Sequence, residues 1–435
     1  MGHLGRLKQQ YRDLLSRLDR GTMGLPEPED ERARQGLQEI LEILFTPEEA
    51  ALASRLPVRP TALDRLAARL GVPADALAER LEPMCDRGVV LDLVNPRNGK
   101  RTYMLSPPVV GFFEYSLMRA KDSIPKKRMA EALRAYTHGD EAFAREALGR
   151  DTVIGRALVH ETALSDDPLP DVLDWERATH VVGEARAWAV SLCYCRHKQE
   201  HLGQACDAPM DVCLTLNGGA DFVTRRGFGR AVERSEAMDI LAASREKGLV
   251  QIADNVQDRP TFVCNCCGCC CEQLQAANRW GLRAVNGSGF APRSDAERCS
   301  GCSRCARACP VAAVEMVPAR RPADRKNGLA PRFDLETCIG CGVCATACHK
   351  GALHMERGGQ RRNVPKNSVE KAVRQALERN RLAELLFDGG EGLGNRFLRQ
   401  ATRAITSLPP AKQLLATEQV RSRFVKAAMA RFKEG

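Results

Sequence analysis

Cysteine is the residue type that most constrains this chain, because 19 of its 435 residues are cysteines. Cys85 stands alone, and the other eighteen fall in four groups between Cys193 and Cys348. Disulfide-rich scaffolds are usually small secreted domains with an even cysteine count, whereas this chain is long and its count is odd. The first ten residues are polar and basic, so no secretory leader is predicted. We therefore expect a cytoplasmic protein whose cysteines bind metal, with iron–sulfur clusters favoured over zinc.

The third and fourth cysteine groups form an internal repeat. Residues 299–310 read CSGCSRCARACP and residues 338–349 read CIGCGVCATACH, at an offset of 39 positions. Between 295–316 and 334–355, eleven positions are identical at that offset. Such C-x2-C-x2-C-x3-C runs bind two [4Fe–4S] clusters, and the fourth cysteine of each run binds the other cluster. A zinc ribbon has two C-x2-C pairs instead of two runs of four, so zinc is disfavoured here.

The repeat predicts two crossed ligand sets, each with four cysteines. The first set is Cys299, Cys302, Cys305 and Cys348, and the second set is Cys338, Cys341, Cys344 and Cys309. Residues 293–356 resemble bacterial dicluster ferredoxins, with the departure that His349 stands where the second run would carry proline. The insert at 317–332 is longer and more basic than a minimal ferredoxin needs, and we interpret it as a candidate docking loop.

The first cysteine group lies within 21 residues and predicts a third [4Fe–4S] cluster, with zinc as the competing interpretation. Its members are Cys193, Cys195, Cys206 and Cys213. Cationic and imidazole side chains surround these cysteines, namely Arg196, His197, Lys198 and His201. We expect them to donate hydrogen bonds to the ligands, with direct ligation by His201 as an alternative.

The second cysteine group reads CNCCGCCC and is unusually dense. Its members are Cys264, Cys266, Cys267, Cys269, Cys270 and Cys271. Residues 261–263 predict a strand, on which Cys264 and Cys266 would point the same way, and Gly268 permits a sharp bend. Six thiols exceed the need of one cubane. Three interpretations stay open: an unusual cluster or spare reactive thiol, four ligands with two bystanders, or no defined site.

Helical and strand patterns elsewhere predict an α+β multidomain protein. The predicted segments are a helical lead-in at 1–36, a winged-helix-like domain at 37–106, a mostly helical cysteine-rich domain at 107–292, a 2[4Fe–4S] ferredoxin-like domain at 293–356 and a basic helical C-terminal domain at 357–435. Within 107–292 we predict helices at 141–148, 178–191 and 235–247. No stretch is apolar over the length needed to span a bilayer.

A winged helix is often a DNA reader, but the charge pattern here argues against that function. The predicted third helix, 74–87, carries the acidic residues Asp75, Glu79, Glu82 and Asp86, whereas phosphate contacts need cations. Of the net charge of +10, +9 lies in residues 361–435. We therefore interpret 37–106 as a docking domain and keep DNA binding as an alternative. The basic C-terminal region is either a solvated helical face or a surface for an acidic partner.

The first two cysteine groups and their surroundings resemble a known family. The similar features are CYCRHKQEHLGQACDAPMDVC, the segment EAMDILAASREKGLV, Asn255 and FVCNCCGCCC. The family comprises 4Fe–4S ferredoxin-type iron–sulfur proteins of anaerobic and facultatively anaerobic prokaryotes. Its members combine these motifs with a winged-helix-like N-terminus and a dicluster ferredoxin domain, and the resemblance covers about residues 37–355. It implies electron transfer in anaerobic metabolism and no particular reaction.

Three functional hypotheses follow from these patterns. The first is an electron-transfer protein that relays electrons between redox partners. The second is an oxidoreductase with its chemistry at CNCCGCCC, and the third is a redox-sensing winged-helix regulator. The sequence contains no Walker loop, so a partner protein has to supply or accept the electrons.

Overall fold

The computed structural model describes residues 8–95, 98–164, 172–319 and 328–388, together with positions 400, 402, 423 and 426. Three predicted features therefore lie partly outside the described residues: the start of the lead-in, the docking loop at 317–332 and most of the basic C-terminal domain. The chain forms two compact units. Unit 1 comprises Met1–Thr152, Arg225–Phe228 and Pro365–Gly435, and unit 2 comprises Val153–Thr224 and Gly229–Val364.

Helices and strands alternate along most of the described chain. The helices are α1 (Gln9–Leu18), α2 (Glu31–Leu44), α3 (Pro47–Ala53), α4 (Leu63–Leu70), α5 (Ala74–Asp86), α6 (Phe113–Tyr115), α7 (Lys126–Gly139), α8 (Ala142–Leu148), α9 (Ala178–Gly183), α10 (Tyr194–His201), α11 (Gly218–Arg225), α12 (Arg234–Glu246), α13 (Glu272–Trp280), α14 (Arg304–Ala308), α15 (Val343–Thr346), α16 (Ser368–Glu378) and α17 (Leu382–Phe387). The strands are β1 (Thr61–Ala62), β2 (Val90–Val94), β3 (Arg101–Leu105), β4 (Gly155–Ala157), β5 (Trp188–Leu192), β6 (Asp211–Leu216), β7 (Arg230–Val232), β8 (Val250–Asp254), β9 (Phe262–Cys266), β10 (Val285–Asn286), β11 (Phe290–Ser294), β12 (Val314–Pro318), β13 (Leu329–Phe333) and β14 (Leu353–Arg357).

Unit 1 combines helices from both ends of the chain with a small antiparallel sheet. The sheet has the order β1-β3-β2, and α4 and α5 lie between β1 and β2 in the chain. The described part of the C-terminal region packs within this unit: the Gln375 amide donates to Thr152 O at 3.2 Å, and Arg17 donates to Asp388 at 2.7 Å. The predicted third helix is present as α5, and the antiparallel pair of β2 and β3 follows it. The function assigned to the winged-helix-like domain stays a prediction.

A buried charge cluster in unit 1 surrounds Asp92 of β2, which is fully buried. Arg226 donates to the two carboxylate oxygens of Asp92 at 2.7 and 3.0 Å, and Arg225 also hydrogen-bonds this carboxylate. Arg226 donates further to Glu82 and Asp86 of α5, at 2.7 and 2.8 Å. Two of the acidic residues that argue against DNA contact therefore hold an arginine inside the protein.

We expect Arg226→Met to destabilise unit 1. Removing one partner of a buried ion pair costs roughly 3–5 kcal/mol, because the other charge stays buried without its partner. Since Arg225 still pairs with Asp92, the loss should lie near the lower end of that range. Anaerobic denaturant unfolding followed by circular dichroism measures it. The control is Arg230→Met, because the Arg230–Glu236 pair is exposed and screened by solvent, so its loss should leave the unfolding midpoint nearly unchanged. Equal unfolding midpoints for both variants would contradict the role of Arg226.

Unit 2 is built on a seven-stranded sheet of order β10-β4-β8-β9-β6-β5-β7. The β10–β4 pair is parallel and the other pairs are antiparallel. The prediction of a mostly helical domain at 107–292 was therefore wrong for its second half. All five residues of β8 are buried, and a short strand buried in this way cannot be told from a helical segment by periodicity.

The segment 178–191 shows how the prediction failed. It was predicted as one helix, but α9 ends at Gly183 and Trp188 begins strand β5. β5 pairs with both β6 and β7, so hydrogen bonds to distant segments override the local helical periodicity. The predicted helices at 141–148 and 235–247 are confirmed to within one residue as α8 and α12.

The two faces of this sheet are covered by different parts of unit 2. Helices α9 and α12 pack on one face through apolar residues such as Val182 and Leu241. On the other face, Ile252 of β8 lies in an apolar cluster with Leu274 of α13 and with Ile339 of the cysteine repeat. The cysteine repeat adds two antiparallel pairs, β11–β14 and β12–β13, with α14 and α15. The sheet thereby holds the cysteine groups in one compact unit.

Candidate metal centres

All nineteen cysteines lie in the described residues, and all are free thiols. Cys85 is buried within α5 of unit 1, and burial raises the pKa of its thiol to about 12. A thiol of this kind stays protonated and behaves as a small core residue. The other eighteen cysteines all belong to unit 2.

The two runs of the cysteine repeat have the same local structure. Asp295 Oδ1 accepts the backbone N–H of Glu297 at 2.8 Å, and Asp334 Oδ1 accepts that of Glu336 at 2.9 Å. Each run then has a glycine with positive φ between its first two cysteines, which for Gly340 is 68°. A Cβ on Gly340 would collide with the backbone of β11, so glycine is needed for the close approach of this loop.

The first predicted ligand set surrounds one cavity. Cys299, Cys302, Cys305 and Cys348 line it together with apolar residues such as Met316 and Leu353. The backbone N–H of Ala352 donates to Cys348 Sγ at 3.4 Å, a hydrogen bond of the kind that stabilises a thiolate ligand. Cys348 therefore lies with the cysteines of the other run.

The second predicted set is also gathered in one place. Burial raises the pKa of Cys344 to about 12, and the charges of Cys338 and Cys309 add to this shift. Cys309 Sγ accepts from Ala313 N at 3.2 Å, and Cys338 Sγ accepts from Gly340 N at 3.4 Å. Thiolates this close to one another in an apolar interior need a positive counter-charge, which a bound metal cluster supplies.

Six of the upstream cysteines form a connected group around the end of β9. We call it the six-thiol group, and its members are Cys193, Cys195, Cys213, Cys264, Cys266 and Cys271. The predicted strand is present as β9, and β6 pairs with it so that Leu214 lies opposite Val263. This register places Cys213 beside Cys264, and their thiols hydrogen-bond. Cys271 contacts both Cys195 and Cys266.

The other four upstream cysteines form a second, tighter group, which we call the four-thiol group. Its members are Cys206, Cys267, Cys269 and Cys270, and their sulfur atoms all lie within 4.8 Å of one another. Cys206 Sγ is 3.5 Å from Cys267 Sγ and 3.8 Å from Cys270 Sγ. Cys269 Sγ is 3.7 Å from Cys270 Sγ.

This grouping differs from the predicted one. The predicted set joined Cys206 to Cys193, Cys195 and Cys213, whereas the structure places Cys206 with the second half of CNCCGCCC. The motif itself is divided, because Cys264 and Cys266 share one face of β9 whereas Cys267 begins the turn that follows. Sequence spacing predicts neither the position of Cys206 nor the division of the motif, since both depend on how the segments fold together.

Arg196 links these cysteines and is fully buried. Its guanidinium donates to Pro209 O, to Asn265 O at 3.4 Å and to Cys267 Sγ at 3.5 Å. Burial opposes the charge, but the thiols of Cys193 and Cys267 hold the pKa of Arg196 above its usual value. The arginine therefore stays cationic and provides a fixed positive charge beside the thiolates.

The other predicted neighbours lie in different contacts. Lys198 is buried and forms an ion pair with Glu272 of α13, whose backbone N–H donates to Cys195 Sγ at 3.5 Å. His201 Nε2 lies 3.1 Å from His197 Nε2. The sequence carries no signal for this role of Glu272, because a glutamate at the start of a helix is common for reasons unrelated to a metal site.

The upstream cysteines adjoin the second set of the repeat. Cys266 and Cys271 lie in the same apolar cluster as Cys341, with Cys309 and Cys338 packed against it. Asn278 of α13 donates to Pro310 O at 3.0 Å and to Gly268 O at 3.5 Å, which ties the turn of CNCCGCCC to the repeat. The two cysteine regions are thus held against each other.

Comparison with known families agrees with this geometry. Residues 298–352, which include all eight cysteines of the repeat, match the family model described as a 4Fe-4S dicluster domain. This segment is of the 4Fe–4S ferredoxin type. The ferredoxin-type segment carries ligands for at least one 4Fe–4S cluster, which indicates iron–sulfur electron transfer with a redox partner. No curated protein and no solved structure is significantly similar to the chain.

None of the described helices combines the length and the apolar character needed to cross a bilayer.

Proposed function

We propose that this protein relays electrons between redox partners through two [4Fe–4S] clusters in its ferredoxin-type segment and a further cluster upstream. The proposed ligands of the first cluster are Cys299, Cys302, Cys305 and Cys348, and those of the second are Cys309, Cys338, Cys341 and Cys344. The observation that carries the proposal is the cavity lined by three cysteines of the first run and the last cysteine of the second. This is the crossed arrangement that a dicluster ferredoxin requires.

The six-thiol group is the proposed place of the further cluster. Its thiols exceed the four ligands that a cubane uses, which leaves room for an unusual ligand set. Bound clusters supply one-electron transfer. The chain supplies an apolar wall, through residues such as Leu274 and Val311, and a shared cluster of side chains that joins Cys266 and Cys271 to Cys341. Exclusion of water and close packing of the cysteine groups favour electron transfer within unit 2.

Iron and acid-labile sulfide per chain, measured on protein purified without oxygen, test this proposal. We expect about twelve irons and about twelve sulfides, with cubane EPR signals after reduction, because three clusters each hold four of both. Cys85→Ala is the control and should retain all the iron, since Cys85 is a buried, protonated thiol of unit 1 whereas the other eighteen cysteines belong to unit 2. Fewer than about eight irons after reconstitution would contradict the two ferredoxin-type clusters. About eight irons would contradict the upstream cluster and leave the two ferredoxin-type clusters in place.

A second candidate function is a reductase. The cavity of unit 2 that favours it adjoins Cys338 of the repeat and not the CNCCGCCC motif, where the sequence-based hypothesis placed the chemistry. The cavity has a volume of about 550 Å³, and Cys338 and the arginines Arg283, Arg361 and Arg362 line it, with Glu336 as the acidic member. Such a site has space for a small anionic oxidant beside the second cysteine set. Repeated turnover of a disulfide or an anionic oxidant with a reduced donor would support the reductase. Stoichiometric re-oxidation without turnover would support the carrier.

The regulator hypothesis has less support. Glu82 and Asp86 of α5 are acidic partners of Arg226, and acidic side chains on this helix disfavour contact with phosphates. DNA binding that depends on cluster loading and falls steeply with salt would favour it over the carrier.

A further inference from the structure

The sulfur–sulfur distances of the four-thiol group are those of a single-ion site. Zinc–thiolate bonds of about 2.3 Å in a tetrahedron place the ligand sulfurs about 3.8 Å apart. Three of the sulfur–sulfur separations are 3.5, 3.7 and 3.8 Å, and every pair lies within 4.8 Å. The four sulfurs therefore surround a space that suits one ion.

A cubane would need a wider arrangement. Each cysteine of a [4Fe–4S] cluster binds a different iron, and the irons and sulfides lie between the ligand sulfurs. Within the described residues, neither set of the ferredoxin-type segment brings three sulfurs as close together as the four-thiol group does. The distances between sulfur atoms therefore distinguish the four-thiol group from the two ligand sets of the ferredoxin-type segment.

The turn that carries three of these cysteines is firmly held. The Gln275 side chain donates to Gly268 O at 2.5 Å, and Asn278 donates to both Gly268 O and Pro310 O. A Cβ on Gly268 would lie 2.6 Å from Pro310 O, so the close approach at this position requires glycine. The close contact with Pro310 explains why the middle of CNCCGCCC is a glycine.

Cys206 comes from the loop between α10 and β6, and Arg196 ties that loop to the turn. One guanidinium nitrogen donates to Pro209 O in the loop, and another donates to Cys267 Sγ in the turn. A divalent ion with four thiolates carries a net charge of −2, and the buried arginine offsets part of it. Cys270 is buried whereas Cys269 is exposed, so the group lies at the edge of unit 2.

We propose that Cys206, Cys267, Cys269 and Cys270 bind one tetrahedral divalent ion, Zn²⁺ or Fe²⁺, at a mononuclear site separate from the iron–sulfur clusters. Four protein ligands leave no open position, which is the arrangement of a structural metal. The ion fastens the CNCCGCCC turn to the Cys206 loop, and the turn itself contacts the ferredoxin-type segment at Pro310.

Metal and sulfide balance in the full chain, purified without oxygen, tests the proposal directly. Iron–sulfur cubanes hold iron and sulfide in equal numbers, so the sum of zinc and iron should exceed sulfide by about one per chain. A chain whose zinc and iron together equal its sulfide would overturn the proposal, whatever the number of cubanes. This measurement needs no variant and is independent of the cluster count under test above.

Two variants locate the ion. Cys269→Ser alters the exposed member of the group and Cys206→Ser the member on the other loop, and each should lose about one zinc or iron with sulfide unchanged. The matched control is Cys213→Ser in the six-thiol group, which should keep the extra ion. Ferredoxin-type EPR signals of unchanged intensity report that unit 2 is folded in each variant. Loss of about four irons and four sulfides from Cys206→Ser, or retention of the ion in both variants, would overturn the assignment.

Discussion

Replacing Cys302 and Cys348 together by alanine should remove no more iron than replacing either one alone. Both residues line the cavity of the first ligand set, although they lie in different runs of the repeat. Each single variant should lose one cluster, which is about four irons, and the double variant should lose that same cluster. Iron and sulfide per chain, with the EPR spectrum of the reduced protein, measure the losses.

The matched comparison is Cys338→Ala combined with Cys348→Ala, two cysteines of the same run. These cysteines belong to different predicted sets, so their effects should add and about eight irons should be lost. If each run bound its own cluster, the results would be reversed: Cys302 with Cys348 would be additive, and Cys338 with Cys348 would not. That reversal would disprove the crossed ligation.

Arg196→Leu should empty the upstream cysteine groups and leave about eight irons in the ferredoxin-type segment. The substitution removes the buried cation beside Cys267 and leaves the carbonyls of Pro209 and Asn265 without this donor. An unsatisfied buried polar group costs about 1–3 kcal/mol, and the uncompensated thiolates add to that cost. Metal and sulfide analysis measures the outcome, and the retained EPR signals show that the rest of unit 2 is folded.

Two further variants separate charge from geometry at this position. Arg196→Lys keeps the positive charge but not the planar fork of donors, so metal binding should recover only in part. Arg230→Leu removes an exposed arginine paired with Glu236 and should leave the metal content unchanged. An Arg196→Leu protein with its full complement of upstream metal would refute the role of the guanidinium.

The elements that could be predicted were those set by short-range geometry. Helices α8 and α12 follow from local periodicity, and the strand before CNCCGCCC follows from residues 261–263. The seven-stranded sheet could not be predicted, because strands such as Val250–Asp254 are buried along their whole length and show no alternation. Their identity depends on partners that come from distant parts of the chain.

The same division holds for the metal centres. The ferredoxin-type repeat could be predicted from spacing, because three cysteines separated by two residues each on one tight loop bind one cluster and the fourth cysteine, three residues further on, binds the other. The contacts of Cys206 with Cys267 and of Cys213 with Cys264 arise only in the folded chain. The pairing of β6 with β9 and the turn at Gly268 make these contacts between residues that are far apart in the chain. Spacing cannot encode them, because the strand register and the packing of the loops determine which thiols meet.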